Sequence, residues 1–160
     1  MKKGFLFTIL LTLCATFCVG CVQEPTPTHP AGTITVPFTE ETDNYPGVDL
    51  VVVEGTVTPS SAEIRLINET GFGMSCYGDN QIILHKEQDG TWYEMRQNPI
   101  PVTCQGPWGF SADEEFHDDV YWEAFYGVLT PGHYRIVKSC TVKADDGYVT
   151  LWLTAEFYIE

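Results

Sequence analysis

Val149, Leu151, Leu153, Ala155, Phe157 and Ile159 alternate without a break with polar or aromatic residues. A period of two marks a strand with one buried face, because successive side chains leave a pleated backbone on opposite sides. On a helix the same residues would be scattered around the circumference, with no apolar stripe to bury. A strand of this kind needs partner strands beside it and a second layer over its apolar row.

Upstream segments can supply both. Leu50 to Val53 is an apolar run that continues to Val57 and is stopped by Thr58-Pro59-Ser60. Ala62 to Asn68 alternates, with Ile64 and Leu66 on one face and Glu63 and Arg65 on the other. Gln81 to Gln88 and Thr91 to Arg96 flank Asp89-Gly90, a two-residue hairpin signal because a type I′ turn needs positive φ at both positions. Within that hairpin Trp92 is the expected large core residue. Tyr126 to Lys138, YGVLTPGHYRIVK, contains two runs that can pair across Thr130-Pro131-Gly132, and Asp146-Gly147 then returns the chain into the last strand. Gln97 to Ser111, rich in Pro and Gly, reads as a long loop or a poorly formed edge strand.

Residues 111–122 carry two conflicting signals. Ser111 and Glu114 have capping-box spacing, which favours a helix start. Phe116, Asp118, Val120 and Trp122 alternate with His117, Asp119 and Tyr121, which favours a strand. We read a strand from about Glu115 to Trp122, then a single helical turn over Glu123 to Tyr126. The whole is an all-β chain, an antiparallel β-sandwich of about seven strands.

The N-terminal region is of another kind. Lys2 and Lys3 precede an apolar run from Phe5 to Phe17, too short to span a membrane, and Cys18-Val19-Gly20-Cys21 comes next. This resembles a bacterial lipoprotein signal, in which Gly20 permits cleavage and Cys21 becomes the acylated first residue. Residues 1–20 are then a signal peptide, 21–46 a lipid-anchored Pro/Thr-rich tether and 47–160 the globular domain. The tether contains Pro25, Pro27, Pro30, Pro37 and Pro46, and an edge strand at Ile34 to Phe38 remains open. The expected address is the cell membrane, lipid-anchored and facing outward, or the periplasmic face in a Gram-negative cell.

Loss of residues 1–20 leaves six basic residues against 22 acidic ones, a net charge of −16. Such a surface disfavours nucleic acid and anionic lipid headgroups. Cys76, Cys104 and Cys140 remain, enough for one disulfide outside the cytoplasm, and spacing does not fix the pairing.

Few residues suggest chemistry. Asp113, Glu115, Asp118 and Asp119 are weak candidates for Ca²⁺ ligands, but they lack EF-hand spacing and a strand would point alternate members apart, so no metal is expected. His29, His85, His117 and His133 lie in different segments and no nucleophile elbow is present, so no catalytic residue is assigned. Arg135 and Lys138, rare cations, are expected to pair with nearby carboxylates. Trp108, Phe110 and Trp152 are possible ligand contacts: Trp108 sits in the Gly/Pro loop, and Trp152 with Tyr158 can form a platform for a sugar ring or a protein.

The stretches GDNQIILHKEQDGTWYEM, YWEAFYGVLTPGHYRIVK and AEFYIE resemble bacterial immunoglobulin-like domains of lipoproteins and secreted proteins, chiefly of Gram-positive bacteria. The resemblance covers about Val48 to Glu160. It implies an Ig-like sandwich with no enzymatic activity and no cofactor, in which Tyr134 is placed like the tyrosine whose hydroxyl bonds back to the preceding loop. Three functions are open to such a domain. One is an adhesion or accessory interaction module; another is a carbohydrate-binding module with an exposed coplanar row of aromatics. The last is a protease inhibitor with Asn98 to Gly109 and Tyr126 to Gly132 on one rim.

Overall fold

The computed structural model of the chain describes residues 32, 34–43, 45–76, 82–98, 108–144 and 147–160. The signal segment and Cys21 lie outside these residues, as does Cys104. Among the described residues no helix is long and apolar enough to cross a membrane.

The described strands are β1 (Ile34–Pro37), β2 (Val48–Val52), β3 (Ser61–Asn68), β4 (Met74–Cys76), β5 (Ile83–Gln88), β6 (Thr91–Met95), β7 (Trp108–Phe110), β8 (Glu114–Tyr121), β9 (Gly132–Ala144) and β10 (Gly147–Ile159). A single helical turn, α1 (Glu123–Tyr126), comes directly after β8. All strand pairs are antiparallel, in two sheets.

The larger sheet is built on β9. One edge of β9 pairs with β10 along its whole length, from Gly132↔Ile159 to Ala144↔Gly147. The other edge is shared, with Tyr134–Val137 pairing with β5 and Cys140–Val142 with β4. Outside β5 lie β6 and β1, and outside β4 lies β7. The smaller sheet has the order β2-β3-β8. The strands beyond the expected seven or so are short pieces of four residues or fewer, β1 and β7 at the edges and β4 between β9 and β7. Pieces that short carry almost no periodicity of their own.

The inward rows of the two sheets form the core. Ala62, Ile64 and Leu66 from β3 and Val120 from β8 meet Ile136, Cys140 and Val142 from β9 and Leu151, Leu153, Ala155, Phe157 and Ile159 from β10. The large aromatic at its centre is Trp122, fully buried, stacked on Phe157 at 5.0 Å and donating Nε1–H to the Pro59 carbonyl at 2.9 Å. Trp92, expected in that role, lies half-buried on the outer face of the larger sheet. The reason is register: Trp92 faces Glu87 on β5, in a row that points away from the smaller sheet.

Tyr134 donates its hydroxyl to the Thr130 carbonyl at 2.7 Å and stacks on Phe157 at 5.6 Å, the loop-fastening role expected of it. The segment before it differs from expectation. Tyr126 to Val128 does not pair as a strand; α1 leads directly through residues 127–131 into β9. Tyr126 is held instead by its hydroxyl, which accepts from the Leu84 amide at 3.1 Å and donates to the Ile82 carbonyl at 2.9 Å.

At 111–122 the strand prevails. The Glu114 carboxylate does accept from the Ser111 amide at 2.7 Å, which is half of a capping box. Asp113 takes φ 58° and turns the chain, and β8 then pairs with β3 from Asn68↔Glu114 to Ser61↔Tyr121. That ladder satisfies the backbone groups a helix would have used.

Cys76 and Cys140 face each other across β4 and β9, Cα to Cα 4.1 Å, and form a disulfide within the larger sheet. Two charged residues also enter the space between the layers. Lys138 stands on the inward row of β9 and is 7% exposed, and Asp118 stands on the inward row of β8 opposite Ile64. Asn68, first residue of an Asn-Glu-Thr sequon, is buried and donates Nδ2–H to the carbonyls of Phe72 and Ser111, so its nitrogen is not offered for glycosylation.

Of the segment expected to be tether, residues 34–43 belong to the folded unit. β1 is the edge strand left open by the sequence, and residues 38–43 cross the face of the larger sheet immediately after it.

Candidate binding surface on the outer face of the larger sheet

Antiparallel register sets residues on this face in cross-strand rows. One row contains Trp92, Glu87, His133 and Tyr158. The next contains Glu94, His85, Arg135 and Glu156, and beyond it lie Ile83, Val137 and Thr154. An outer sheet face facing water should leave such side chains accessible, yet Val137 and His85 are 0% exposed and Arg135 8%.

The cover is residues 38–43. The Phe38 amide donates to the Trp92 carbonyl of β6 at 3.0 Å, and the Phe38 ring lies 4.5 Å from the His85 ring and 5.5 Å from the Arg135 guanidinium. At the far side the Asp43 amide donates to the Trp152 carbonyl of β10 at 2.9 Å. The Thr154 amide donates to Asp43 Oδ1 at 2.7 Å, and the Thr154 hydroxyl bonds Asp43 Oδ2. The segment is therefore a strap running from β6 to β10.

Beneath the strap the electrostatics are unusual. The Arg135 guanidinium is packed 4.6 Å over the Trp92 ring, and its Nε–H donates to His85 Nδ1 at 3.1 Å. Burial lowers the Arg135 pKa, opposed by the charges of Asp43 and Glu156. Arg135 thus meets a histidine and two aromatic faces, with the carboxylates of Asp43 and Glu156 close enough to favour its charge. Because Arg135 can only donate, His85 Nδ1 must accept and Nε2 must carry the proton. Burial first, and the neighbouring guanidinium second, push the His85 pKa down to about 4. Nε2 is buried without a hydrogen-bond partner among the described residues.

The strap leaves one corner open. Tyr158 is 66% exposed and lies parallel to His133, centroids 4.2 Å apart and planes 7° apart. His133 Nε2 is 2.9 Å from Glu156 Oε2, and its ring meets the edge of Trp92 at 4.8 Å. One aromatic ring is thereby held from behind, with a carboxylate beside it.

The residues expected as ligand contacts are dispersed. Phe110 is 9% exposed and packs on Phe116 at 5.1 Å in the core, which removes it as a contact, because β7 turns that ring inward. Trp152 is half-buried with its ring 5.8 Å from Phe38. The Trp108 side chain lies outside the described part. The start of the Asn98–Gly109 loop is tied to α1, Asn98 N–H to Phe125 O at 2.6 Å, and residues 99–107 are not described.

The acidic residues are likewise separated by the pleat. Asp118 faces inward, whereas Glu115 and Asp119 share the outer face of the smaller sheet with Glu63, Arg65 and His117. There Glu115 Oε1 accepts from Arg65 at 3.0 Å and lies 3.0 Å from His117 Nε2, while His117 Nδ1 lies 3.0 Å from Glu63. The bond to Glu63, then that to Glu115, raises the His117 pKa. Asp113 stays in its turn. Among the described residues no group of three or more His, Cys, Asp or Glu side chains could hold a metal ion.

Sequence reasoning missed Phe38, Asp43 and His85 as parts of one surface. The local signal was an aromatic, Phe38, within a Pro/Thr-rich stretch.

A two-layer antiparallel sandwich with a fastened tyrosine and a central tryptophan defines an Ig-like β-sandwich. The family of bacterial Ig-like domains matches residues 44–157, and the chain belongs to that family. Comparison with curated proteins and with solved structures gave no match.

Proposed function

We propose that the protein is a non-catalytic surface module, anchored through an acylated Cys21, that engages a partner protein with the open corner of its larger sheet. The observation that carries this reading is Tyr158, exposed yet fixed against His133 and beside Glu156. A rigid exposed aromatic with a polar neighbour gives contact area at low entropic cost. The partner-protein reading is preferred to a glycan platform because Trp152 is engaged by Phe38, so it does not extend Tyr158 into a coplanar row.

Two experiments test it. The intact mass of the exported protein should show a chain beginning at an acylated Cys21, and Cys21→Ala should release the protein into the medium; an unmodified N-terminus refutes the anchor. For the surface, Tyr158→Ala should abolish capture of a surface partner by the wild-type protein. Tyr121→Ala, an equally exposed tyrosine on the smaller sheet at 64%, should not. Equal loss in both variants, or in neither, overturns the assignment.

A further inference from the structure

Beside Tyr158 lies a cleft of about 310 Å³ lined by Val57, Thr58, Pro59, Tyr158, Ile159 and Glu160. We propose that this corner takes a primary ammonium on an aliphatic stem, the side chain of a lysine on the partner protein. The inference rests on the reading of Tyr158 as a contact residue and names the chemistry it recognises.

Three features point to that chemistry. One face of the Tyr158 ring rests on His133, and its 66% exposure leaves the other face to solvent. An open ring face attracts a cation through its quadrupole. Two carboxylates stand beside the ring: Glu160 is exposed in the cleft lining, and the Glu156 side chain, bonded to His133 through one oxygen, is 53% exposed. The cleft lining holds no basic side chain; the cation nearest in register, Lys86 opposite Tyr134, packs 5.0 Å over the Tyr134 ring and donates to the Thr130 hydroxyl, and Arg135 opposite Glu156 is buried under the strap. Val57, Pro59 and Ile159 offer apolar walls against which a methylene stem can lie while its charged head stays near water. A net charge of −14 over the whole chain adds a favourable long-range field for a cationic partner.

The test is a titration of the ¹⁵N-labelled protein with Nα-acetyl-lysine amide, monitored by NMR. Saturable shifts confined to residues 57–60 and 156–160 are expected, weakening as salt is raised. Nα-acetyl-norleucine amide, with a similar stem and no ammonium, should bind about tenfold more weakly, as should the Tyr158→Ala and Glu156→Gln variants with the lysine probe. Tyr158→Phe keeps the ring and should retain binding. Equal binding of the norleucine probe, indifference to Tyr158→Ala, or no saturable shift overturns the proposal. So does binding of glucosamine in place of the lysine probe, which would assign the corner to an amino sugar. Loss of amine binding with capture of a partner intact would refute this inference alone and leave the surface reading standing.

Discussion

His85 is a neutral histidine locked in one tautomer under a strap, and its titration should be visible in the stability of the whole domain. Its folded pKa of about 4 lies below the ordinary 6.5. Between those values the unfolded chain binds a proton that the folded chain refuses, so stability is complete above pH 6.5 and falls as pH drops toward 4. The loss attributable to this residue is on the order of 3 kcal/mol. Urea midpoints across that window should decline in the wild type and decline less in His85→Leu; identical slopes would remove His85 as the cause. His117 acts in the opposite sense. Its pKa is raised, so its contribution is complete below pH 6.5 and is lost as pH rises through the raised value. The two tryptophans offer a second test at this scale. Trp122→Ala removes a fully buried ring and should cost about 3–5 kcal/mol, whereas Trp92→Ala, on the half-covered outer face, should cost distinctly less. Urea unfolding of both variants measures the difference. The sequence pointed to Trp92 as the core residue, because local pattern cannot tell which face of a strand the second sheet will cover.

Among the elements, the strap and the β4–β9 bridge are the parts that sequence periodicity could not place. Residues 38–43 have no alternation and no helical pattern, so nothing local says that they cross four strands. Their covering role can be read chemically: in Phe38→Ala, modification of Arg135 by phenylglyoxal should accelerate several-fold, because the ring that shields the guanidinium is gone. An unchanged rate would mean that Phe38 is not the cover. The bridge joins residues 64 apart in sequence, and on a chain-entropy account its removal should destabilise the domain by about 4 kcal/mol. Comparing Cys76→Ala/Cys140→Ala with the wild type in denaturant checks this, and an unaltered midpoint would contradict it. By contrast β3, β8, α1 and β10 were legible, because each has enough residues for its period, or for a turn signal beside it, to declare the face it buries.

For the molecule as a whole, a chain with 22 acidic and eight basic residues builds an apolar core and sets charged side chains on the outer faces of both sheets. The outer face of the smaller sheet balances charge locally, through Arg65, Glu115, His117 and Glu63. On the larger sheet the strap hides Arg135 and leaves Tyr158 and Glu156 to the solvent, which makes its open corner the acidic, aromatic part of the surface. The sequence by itself determined that the chain is all-β and antiparallel. It also determined that Asp89-Gly90 closes a hairpin with both residues at positive φ, 51° and 78°, and that Tyr134 fastens the loop before β9. Those are local properties, encoded in period, turn chemistry and neighbours a few residues away. The cysteine pairing, the core tryptophan, the strap and the corner at Tyr158 were decided only by tertiary structure. Alternation states that a face will be covered, and it carries no record of which distant segment covers it.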